Sequence, residues 1–133
     1  MSHIHQELSF PAPASWVYEV LVDPRRFAAL TRSPATGEAV EGARFSAFDG
    51  RVVGRYIELV PSRRIVQAWR EMTWPEGIYS VARFELEERM TSSIYGGATK
   101  LVLDHDGFPP DETERLSSGW QTHYWSRILG AFC

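Results

Sequence analysis

The decapeptide GWQTHYWSRI, residues 119–128, concentrates side chains that could act on a ligand or on a proton. His123 is the candidate general base, because a neutral imidazole accepts a proton near physiological pH. Such a base needs a partner that orients the ring and a nucleophile or acidic proton within reach. Asp104, His105 and Asp106 are the partners that the chain offers, at the end of the last predicted strand. A single histidine without a nucleophile is more often structural.

Other catalytic and metal patterns are weak or missing. The chain contains no GxGxxG, GxxxxGK[ST], GxSxG or HExxH pattern. His3 and His5 lie two residues apart, and on a strand this places both on one face, as metal ligands require. No third ligand of matching type is recognisable. We therefore expect no catalytic residues, no metal and no cofactor.

Composition narrows the class of protein. With 133 residues, 44% hydrophobic and net charge −3, the chain suits one globular domain, residues 1–133. No stripe of Lys and Arg is present, which argues against nucleic acid and anionic membranes as partners. Cys133 is the only cysteine, no apolar stretch approaches the ~20 residues of a membrane span, and no signal-peptide pattern occurs. We expect a cytoplasmic protein.

Hydrophobic periodicity predicts the order β-αα-βββββ-α. Residues 4–10 alternate as in a half-buried strand, and Asp49-Gly50 predicts a hairpin between two of the later strands. Residues 33–42 are loop-like. A long closing helix follows Pro109-Pro110, with Asp111 and Glu114 spaced as in a capping box. The predicted class is α+β, with a curved antiparallel sheet and a long C-terminal helix.

Two expectations concern side-chain placement. At 100° per residue, the apolar residues of the closing helix cover about half its circumference, which suits a helix lying in the concave side of a sheet. Trp120 and Tyr124 lie centrally on this face, Trp125 near its edge, and Arg127, seven residues after Trp120, projects from the same face. Within the strands, we expect Glu58 and Arg70 to pair across neighbouring strands.

Four segments together resemble a known family. They are APASWVYEVLVDPRRF, FDGRVVGRYIELVPSRRIVQAWREMTWPEG, LDHDGFP and GWQTHYW. They look like the START-like helix-grip superfamily, which has the Bet-v-type fold, and within it the family of the activator of the ninety-kilodalton heat-shock-protein ATPase. The similarity extends from Ile4 to Phe132, and its motifs are specific in combination.

The resemblance implies a seven-stranded antiparallel sheet that grips the C-terminal helix, with a cavity between them. Because periodicity predicts only six strands, we expect the seventh to come from splitting one of the longer runs. In the superfamily the cavity holds lipids, sterols, hormones or polyketide intermediates, and a minority of members are cyclases or dehydratases. In the co-chaperone, the similar domain is the C-terminal one, and a separate N-terminal domain supplies much of the chaperone binding.

Three functions follow as hypotheses. The first is a non-enzymatic binding domain whose hydrophobic cavity takes a small apolar or amphipathic molecule. Its candidate ligand-binding residues are Phe48, Tyr56, Trp69, Phe84, Trp120 and Tyr124 as walls, with His105 and Arg127 as polar anchors. The second is a co-chaperone-like contact with a heat-shock chaperone through TWPEG and PPDETER. The third is cyclase-like or dehydratase-like catalysis. The aromatic surface also allows a homodimer, which nothing in the sequence requires.

Overall fold

The computed structural model describes residues 2–89 and 97–132. The sequence predicts that MTSSIYGG is the loop before the last strand, and this segment falls mostly outside these residues, as does Cys133. The described residues form one seven-stranded antiparallel sheet of order β1-β7-β6-β5-β4-β3-β2. The strands are β1 His3–Phe10, β2 Thr36–Gly37, β3 Arg44–Ala47, β4 Val52–Val60, β5 Arg64–Glu71, β6 Ser80–Arg89 and β7 Ala98–Asp106. The helices are α1 Ala14–Val22, α2 Pro24–Thr31, α3 Thr113–Gly119 and α4 Ser126–Leu129, with a π-helical segment Trp120–Trp125 joining the last two.

This architecture confirms the α+β class and the helix-grip arrangement. The Asp49-Gly50 hairpin forms between β3 and β4 as predicted. The origin of the seventh strand was predicted wrongly. It is the short edge strand β2 within the segment expected to be loop, and it pairs with β3 through Thr36 and Gly37. Two residues are too few for an alternating pattern, so periodicity could not reveal this strand. No helix in the described ranges is long and apolar enough to cross a bilayer.

The sheet turns one face toward the closing helix, residues 113–129. Ile65 and Trp69 on β5, Phe84 on β6 and Leu103 on β7 are all buried on this face. On these strands the buried residues alternate largely with less buried ones, and this alternation fixes the register, because a slip of one residue would turn every one of the four outward. Burial of this face against the helix supplies the main hydrophobic stabilisation.

The π-helical segment changes which side chains of the closing helix face inward. Trp120 and Trp125 are both buried, and their rings stack with centroids 5.7 Å apart. In an α-helix, residues five apart point about 140° away from each other. In the π segment the N–H of Ser126 donates to the carbonyl of Gln121, five residues back. This wider turn brings both indoles onto the sheet. Trp125, expected near the edge, is core.

The side chain of Gln6 fastens the π segment to β1. Its amide nitrogen donates to the carbonyl of Ser117 at 3.1 Å, and its amide oxygen accepts the indole N–H of Trp125 at 2.7 Å. Both polar ends of a half-buried carboxamide are therefore satisfied, as burial requires. The closing helix is thus held by directional bonds as well as by apolar contact.

The predicted pair of Glu58 and Arg70 does not form. A register shift between Tyr56 and Glu58 places Val66 opposite Glu58, and Glu58 pairs with Arg64 at 3.2 Å instead. Arg70 is buried and donates to the carbonyls of the loop 74–78, including that of Trp74 at 2.7 Å. A bulge shifts cross-strand neighbours by one residue, so strand spacing alone cannot predict such pairs.

The predicted capping box is also absent from the described closing helix. Helix α3 begins at Thr113 with Glu112 as its N-cap, and no side chain bonds the cap. Glu112 instead accepts from Arg115 and from the indole N–H of Trp74 at 3.2 Å. A short 3-10 turn, Pro110–Glu112, precedes the helix and moves its start beyond Asp111.

Candidate functional site

A half-open cleft of about 320 Å³ lies between the closing helix and the β3–β4 turn. Its size is at the lower end of the range for small-molecule sites. Strand β5 contributes its last residues, and the closing helix contributes both α3 and the π segment. The lining residues are Phe48, Arg51, Val52, Trp69, Glu71, Arg115, Leu116, Ser118, Gly119, Trp120, Thr122, His123 and Tyr124.

Aromatic rings form the wall of the cleft. Trp120 and Tyr124 pack one turn apart with ring centroids 4.2 Å apart, and Trp69 lies 5.7 Å from Trp120. Phe48 closes the opposite side, 5.1 Å from Tyr124 and edge-on to it. These four were predicted as ligand-binding residues, and the fold brings them together around one space. Their role in binding remains a prediction.

The β3–β4 turn holds Phe48 in an unusual backbone conformation. Phe48, Asp49 and Gly50 have φ angles of 54°, 58° and 84°. Asp and Gly tolerate this left-handed region, but a bulky aromatic residue rarely adopts it. Contacts of the Phe48 ring with Phe27 and Tyr124 hold it there. Backbone strain of this kind concentrates at functional sites, which makes the turn part of the candidate site.

The hydroxyl of Tyr124 is a polar group in the aromatic wall. Its oxygen accepts the indole N–H of Trp69 at 3.3 Å. Burial raises the pKa of Tyr124 well above its ordinary value, so the hydroxyl stays protonated at neutral pH. Among the described residues, none accepts the hydrogen of this hydroxyl. The cleft therefore contains a hydrogen-bond donor that a ligand oxygen could engage.

Two arginines at the cleft differ in their electrostatic state. Arg115 donates to both carboxylate oxygens of Glu71, at 2.6 and 3.2 Å, and also to Glu112. Those contacts raise the pKa of Arg115 and neutralise its charge locally. Arg51 is exposed, and within residues 2–89 and 97–132 its guanidinium has no carboxylate partner. Arg51 is thus the uncompensated cation at the cleft.

His105 lies in the core and does not line the cleft. Its ring is fully buried: Nδ1 accepts the indole N–H of Trp120 at 3.0 Å, and Nε2 lies 2.7 Å from the hydroxyl of Ser80. Ser80 in turn donates to the carbonyl of Trp69 at 2.8 Å, so Nε2 carries the hydrogen and donates. Burial lowers the pKa of His105 to about 3 and keeps it neutral. From the core side of the cleft wall, His105 therefore orients Trp120 directly and Trp69 through Ser80.

Three other predicted residues also lie outside the cleft. Tyr56 and Phe84 are buried and border a separate void of about 20 Å³, which holds no more than a water molecule. Arg127 is exposed, contrary to the expectation that it projects from the apolar face. The π segment inserts an extra residue per turn and rotates whatever follows by ~100°. That rotation takes Arg127 away from the sheet and keeps Ile128 buried.

Sequence reasoning missed Arg51, Glu71, Arg115 and Gly119 as lining residues. Arg51 directly follows the Asp49-Gly50 turn, and this turn was the available signal for its position. A glycine in a helix can let the helix approach a neighbouring sheet closely, and the sequence suggests this role for Gly119. A Cβ built at Gly119 would meet only the ring of His123, at 3.8 Å, so the glycine widens the cleft instead.

The two N-terminal histidines lie far from the cleft, on the outer face of the sheet. His3 and His5 are exposed on β1, and the register places Asp104 of β7 opposite His5. Asp104, about a hundred residues along the chain, therefore brings a carboxylate next to the two imidazoles, a third group that sequence spacing did not identify. Strand pairing alone brings it there.

Comparison with known proteins gives a family match over most of the chain. The family described as "Activator of Hsp90 ATPase homolog 1-like protein" matches residues 11–132. The human "Activator of 90 kDa heat shock protein ATPase homolog 1" is 34% identical over 116 residues, which cover 87% of this chain and 32% of that protein. The Saccharomyces cerevisiae "Hsp90 co-chaperone AHA1" is 26% identical over 133 residues, 97% of this chain and 37% of that protein. The chain thus spans about a third of the length of these relatives.

Solved structures show the same fold. An HSP90 activator from Plasmodium falciparum superposes with a TM-score of 0.86 at 24% identity, covering 99% of this chain and 96% of that one. The Aha1 dimer from Colwellia psychrerythraea gives 0.76 at 16% identity, covering 98% and 93%. With the family match over residues 11–132, the chain belongs to the Activator of Hsp90 ATPase homolog 1-like family.

Proposed function

We propose that this chain binds a small amphipathic molecule in the cleft, with its apolar part against the aromatic wall and an anionic group toward Arg51. The observation that carries the proposal is the cleft of about 320 Å³, in which Trp69, Trp120 and Tyr124 stand beside an uncompensated guanidinium. Concave apolar sites with a few placed polar groups are typical of small-molecule binding.

The two polar groups of the cleft favour a ligand with a carboxylate or similar oxyanion. The hydroxyl of Tyr124 has a hydrogen to donate, and Arg51 supplies a positive charge at the cleft. Glu71 does not repel such a group strongly, because Arg115 holds it in a two-bond ion pair. A cationic ligand would instead meet Arg51 without a free carboxylate to pair with.

Titration with matched ligands tests this proposal. We expect an aromatic or medium-chain carboxylic acid to bind more tightly than the amide with the same hydrocarbon skeleton. The amine with that skeleton should bind least. Calorimetric titration of the three against the wild-type chain measures the order. Arg51→Gln should bring acid and amide to similar affinity, whereas Arg55→Gln, an exposed arginine on β4 outside the cleft, should leave the order unchanged. Equal binding of acid and amine by the wild type would contradict the proposal.

A second candidate function is a contact with an Hsp90-type chaperone, and the structure offers a specific observation for it. The segments TWPEG and PPDETER, separate in the sequence, meet in space: the indole N–H of Trp74 donates to Glu112. Next to them Met72, Ile78 and Tyr79 are exposed. The family membership, and relatives named as activators of an Hsp90 ATPase, support the same partner. Exposed apolar side chains beside fixed polar groups are typical of interaction surfaces.

The ATPase rate of a purified Hsp90 tests this second candidate. If the contact exists, the chain should change that rate in a saturable manner, and Tyr79→Ser with Ile78→Ser should abolish the effect. Val40→Ser removes an equally exposed apolar side chain elsewhere and serves as the control. An unchanged rate at saturating chain would exclude the chaperone contact without touching the ligand proposal.

Cytoplasmic location and self-association are further parts of the proposal. Relatives named as activators of a heat-shock chaperone ATPase support a cytoplasmic site of action. The structurally similar Aha1 protein from Colwellia psychrerythraea is a dimer, which supports a test for a homodimer of this chain. Sedimentation over a range of concentrations distinguishes a monomer from a dimer.

A further inference from the structure

Two histidines and two aspartates meet on the outer face of β1 and β7. The strand register pairs His3 with Asp106 and His5 with Asp104. Residues two apart on a strand share a face, so all four side chains lie on the side of the sheet away from the closing helix. His105, between the two aspartates, points the other way into the core. This cluster takes no part in the cleft.

The donor atoms of three of these residues are spaced as metal ligands. One carboxylate oxygen of Asp104 lies 2.7 Å from Nδ1 of His5 and 3.3 Å from Nε2 of His3. One donor atom from each of the three residues lies within 4.8 Å of the other two. With zinc–ligand bonds of ~2.0–2.2 Å, neighbouring ligands of a tetrahedron are ~3.3–3.6 Å apart. Small side-chain rotations therefore suffice to enclose an ion.

The remaining ring nitrogens already have carboxylate acceptors. Nδ1 of His3 bonds the carboxylate of Asp106, and Nε2 of His5 lies 2.8 Å from a carboxylate oxygen of Glu7. Metal-bound histidines have this arrangement, since a carboxylate on the second nitrogen orients the ring and strengthens the nitrogen that binds the ion. Each ring thus directs its other nitrogen toward Asp104 while a carboxylate holds the outer nitrogen.

From this geometry we propose a divalent-metal site formed by His3 Nε2, His5 Nδ1 and Asp104, with Zn²⁺ as the ion that it fits. Two imidazoles and one carboxylate suit zinc, whereas Ca²⁺ and Mg²⁺ prefer oxygen ligands throughout. The nearest competing cation, Arg83, lies 3.9 Å from the other oxygen of Asp104 and leaves the ligand oxygen accessible. Water completes the fourth position on this exposed face.

Calorimetric titration of ZnCl₂ into the chain, prepared without any histidine tag, tests the site. One equivalent should bind, and His3→Gln, His5→Gln or Asp104→Asn should each weaken binding by at least ~100-fold, because each removes a ligand. Glu7→Gln and Asp106→Asn should weaken it by ~10- to 100-fold, as loss of an orienting carboxylate does. His123→Gln and Asp111→Asn remove an exposed imidazole and an exposed carboxylate elsewhere and should leave zinc affinity unchanged.

Folding of these variants is checked by their thermal midpoints without metal, and all the substituted side chains lie outside the core. Absence of zinc binding by the wild type would overturn the proposal. So would binding that the three ligand substitutions leave unchanged, or equal binding of Mg²⁺, which would show that the imidazoles are not ligands. None of these three results would bear on the cleft, which lies on the other side of the sheet.

Discussion

Trp120 separates two regions that differ in packing. On one side its ring meets Phe84 and Trp125, with centroids 5.7 Å away in each case, and its indole N–H bonds His105. On the other side it faces the cleft together with Tyr124. Among the described residues, every buried side-chain nitrogen or oxygen atom has a hydrogen-bond partner, whereas the cleft keeps an unused donor on Tyr124 and an uncompensated cation, Arg51. The cleft follows the closing helix from Arg115 to Tyr124, and beyond it Trp125 and Ile128 of the same helix are buried.

The difference shows how a small domain can keep a rigid wall beside an open space. The chain of bonds from Trp120 through His105 and Ser80 to Trp69 orients two wall residues without using any cleft-facing atom. Buried networks that are fully satisfied rigidify the side chains they join. Ligand affinity benefits from such a prepared wall, because less side-chain entropy is lost on binding.

Truncation of Trp120 should have the largest effect, because this residue belongs to both regions. We expect Trp120→Ala to reduce the free energy of unfolding by ~3–5 kcal/mol, as large core truncations do. Urea denaturation followed by circular dichroism measures the loss. Trp16→Ala, which truncates a half-buried tryptophan away from the cleft, should cost clearly less. A loss below about 1 kcal/mol for Trp120→Ala would mean that the interior is not tightly packed around this ring.

Acid should weaken the filled interior through His105. Its folded pKa of about 3 lies below the ordinary 6.5, so the unfolded chain binds the proton more readily. Stability from this group is complete above pH ~6.5 and falls by up to ~1.4 kcal/mol per pH unit between ~6.5 and 3. Denaturation at pH 7, 6 and 5 in the presence of a chelator measures the slope.

The control is His123→Gln. This variant should show the same dependence of unfolding free energy on pH as the wild type, because His123 is exposed. His5 does not mimic the effect: its pKa is raised, mainly by Asp104 and then Glu7, so its stabilisation is lost as the pH rises above ~6.5. Unfolding free energy that stays constant from pH 7 to 5 would show that His105 is not held neutral by burial.

Substitution at the cleft should affect stability least. Arg51→Gln should change the free energy of unfolding by less than ~0.5 kcal/mol, since Arg51 is exposed and forms no ion pair within the described residues. The same urea experiment measures it beside Trp120→Ala. A loss of 2 kcal/mol would show that Arg51 contributes to folding stability, and would contradict the distinction between the cleft and the interior.

The longer strands could be predicted because alternation and the Asp49-Gly50 turn express local rules directly, whereas the two-residue strand β2 could not. The contents of the cleft could be predicted only in part. Phe48, Trp69, Trp120 and Tyr124 were identifiable as large aromatic side chains on predicted elements. Arg127 and Trp125 were misplaced, because a helical phase of 3.6 residues per turn does not include a π segment.

Other features depend on contacts that no local pattern contains. Asp104 reaches His5 only through the pairing of β1 with β7, and a bulge in β4 removes Glu58 from the neighbourhood of Arg70. His105 is buried because the register of the whole sheet turns it toward the core, and the sequence alone does not show this register. Sequence spacing could therefore identify candidate residues but could not show which of them lie together in the fold.

The most direct test of an open cleft beside a closed interior is Gly119→Leu. The backbone at Gly119 is helical, and only the ring of His123 lies near a Cβ there, so leucine should fill the cleft without disturbing the core. We expect the variant to be as stable as the wild type or up to ~1 kcal/mol more stable, because glycine is a poor helix former. Fluorescence titration with an anionic aromatic probe should show binding to the wild type and at least tenfold weaker binding to the variant. Equal probe binding by both proteins, with the fold intact, would contradict the assignment of the cleft as the binding site.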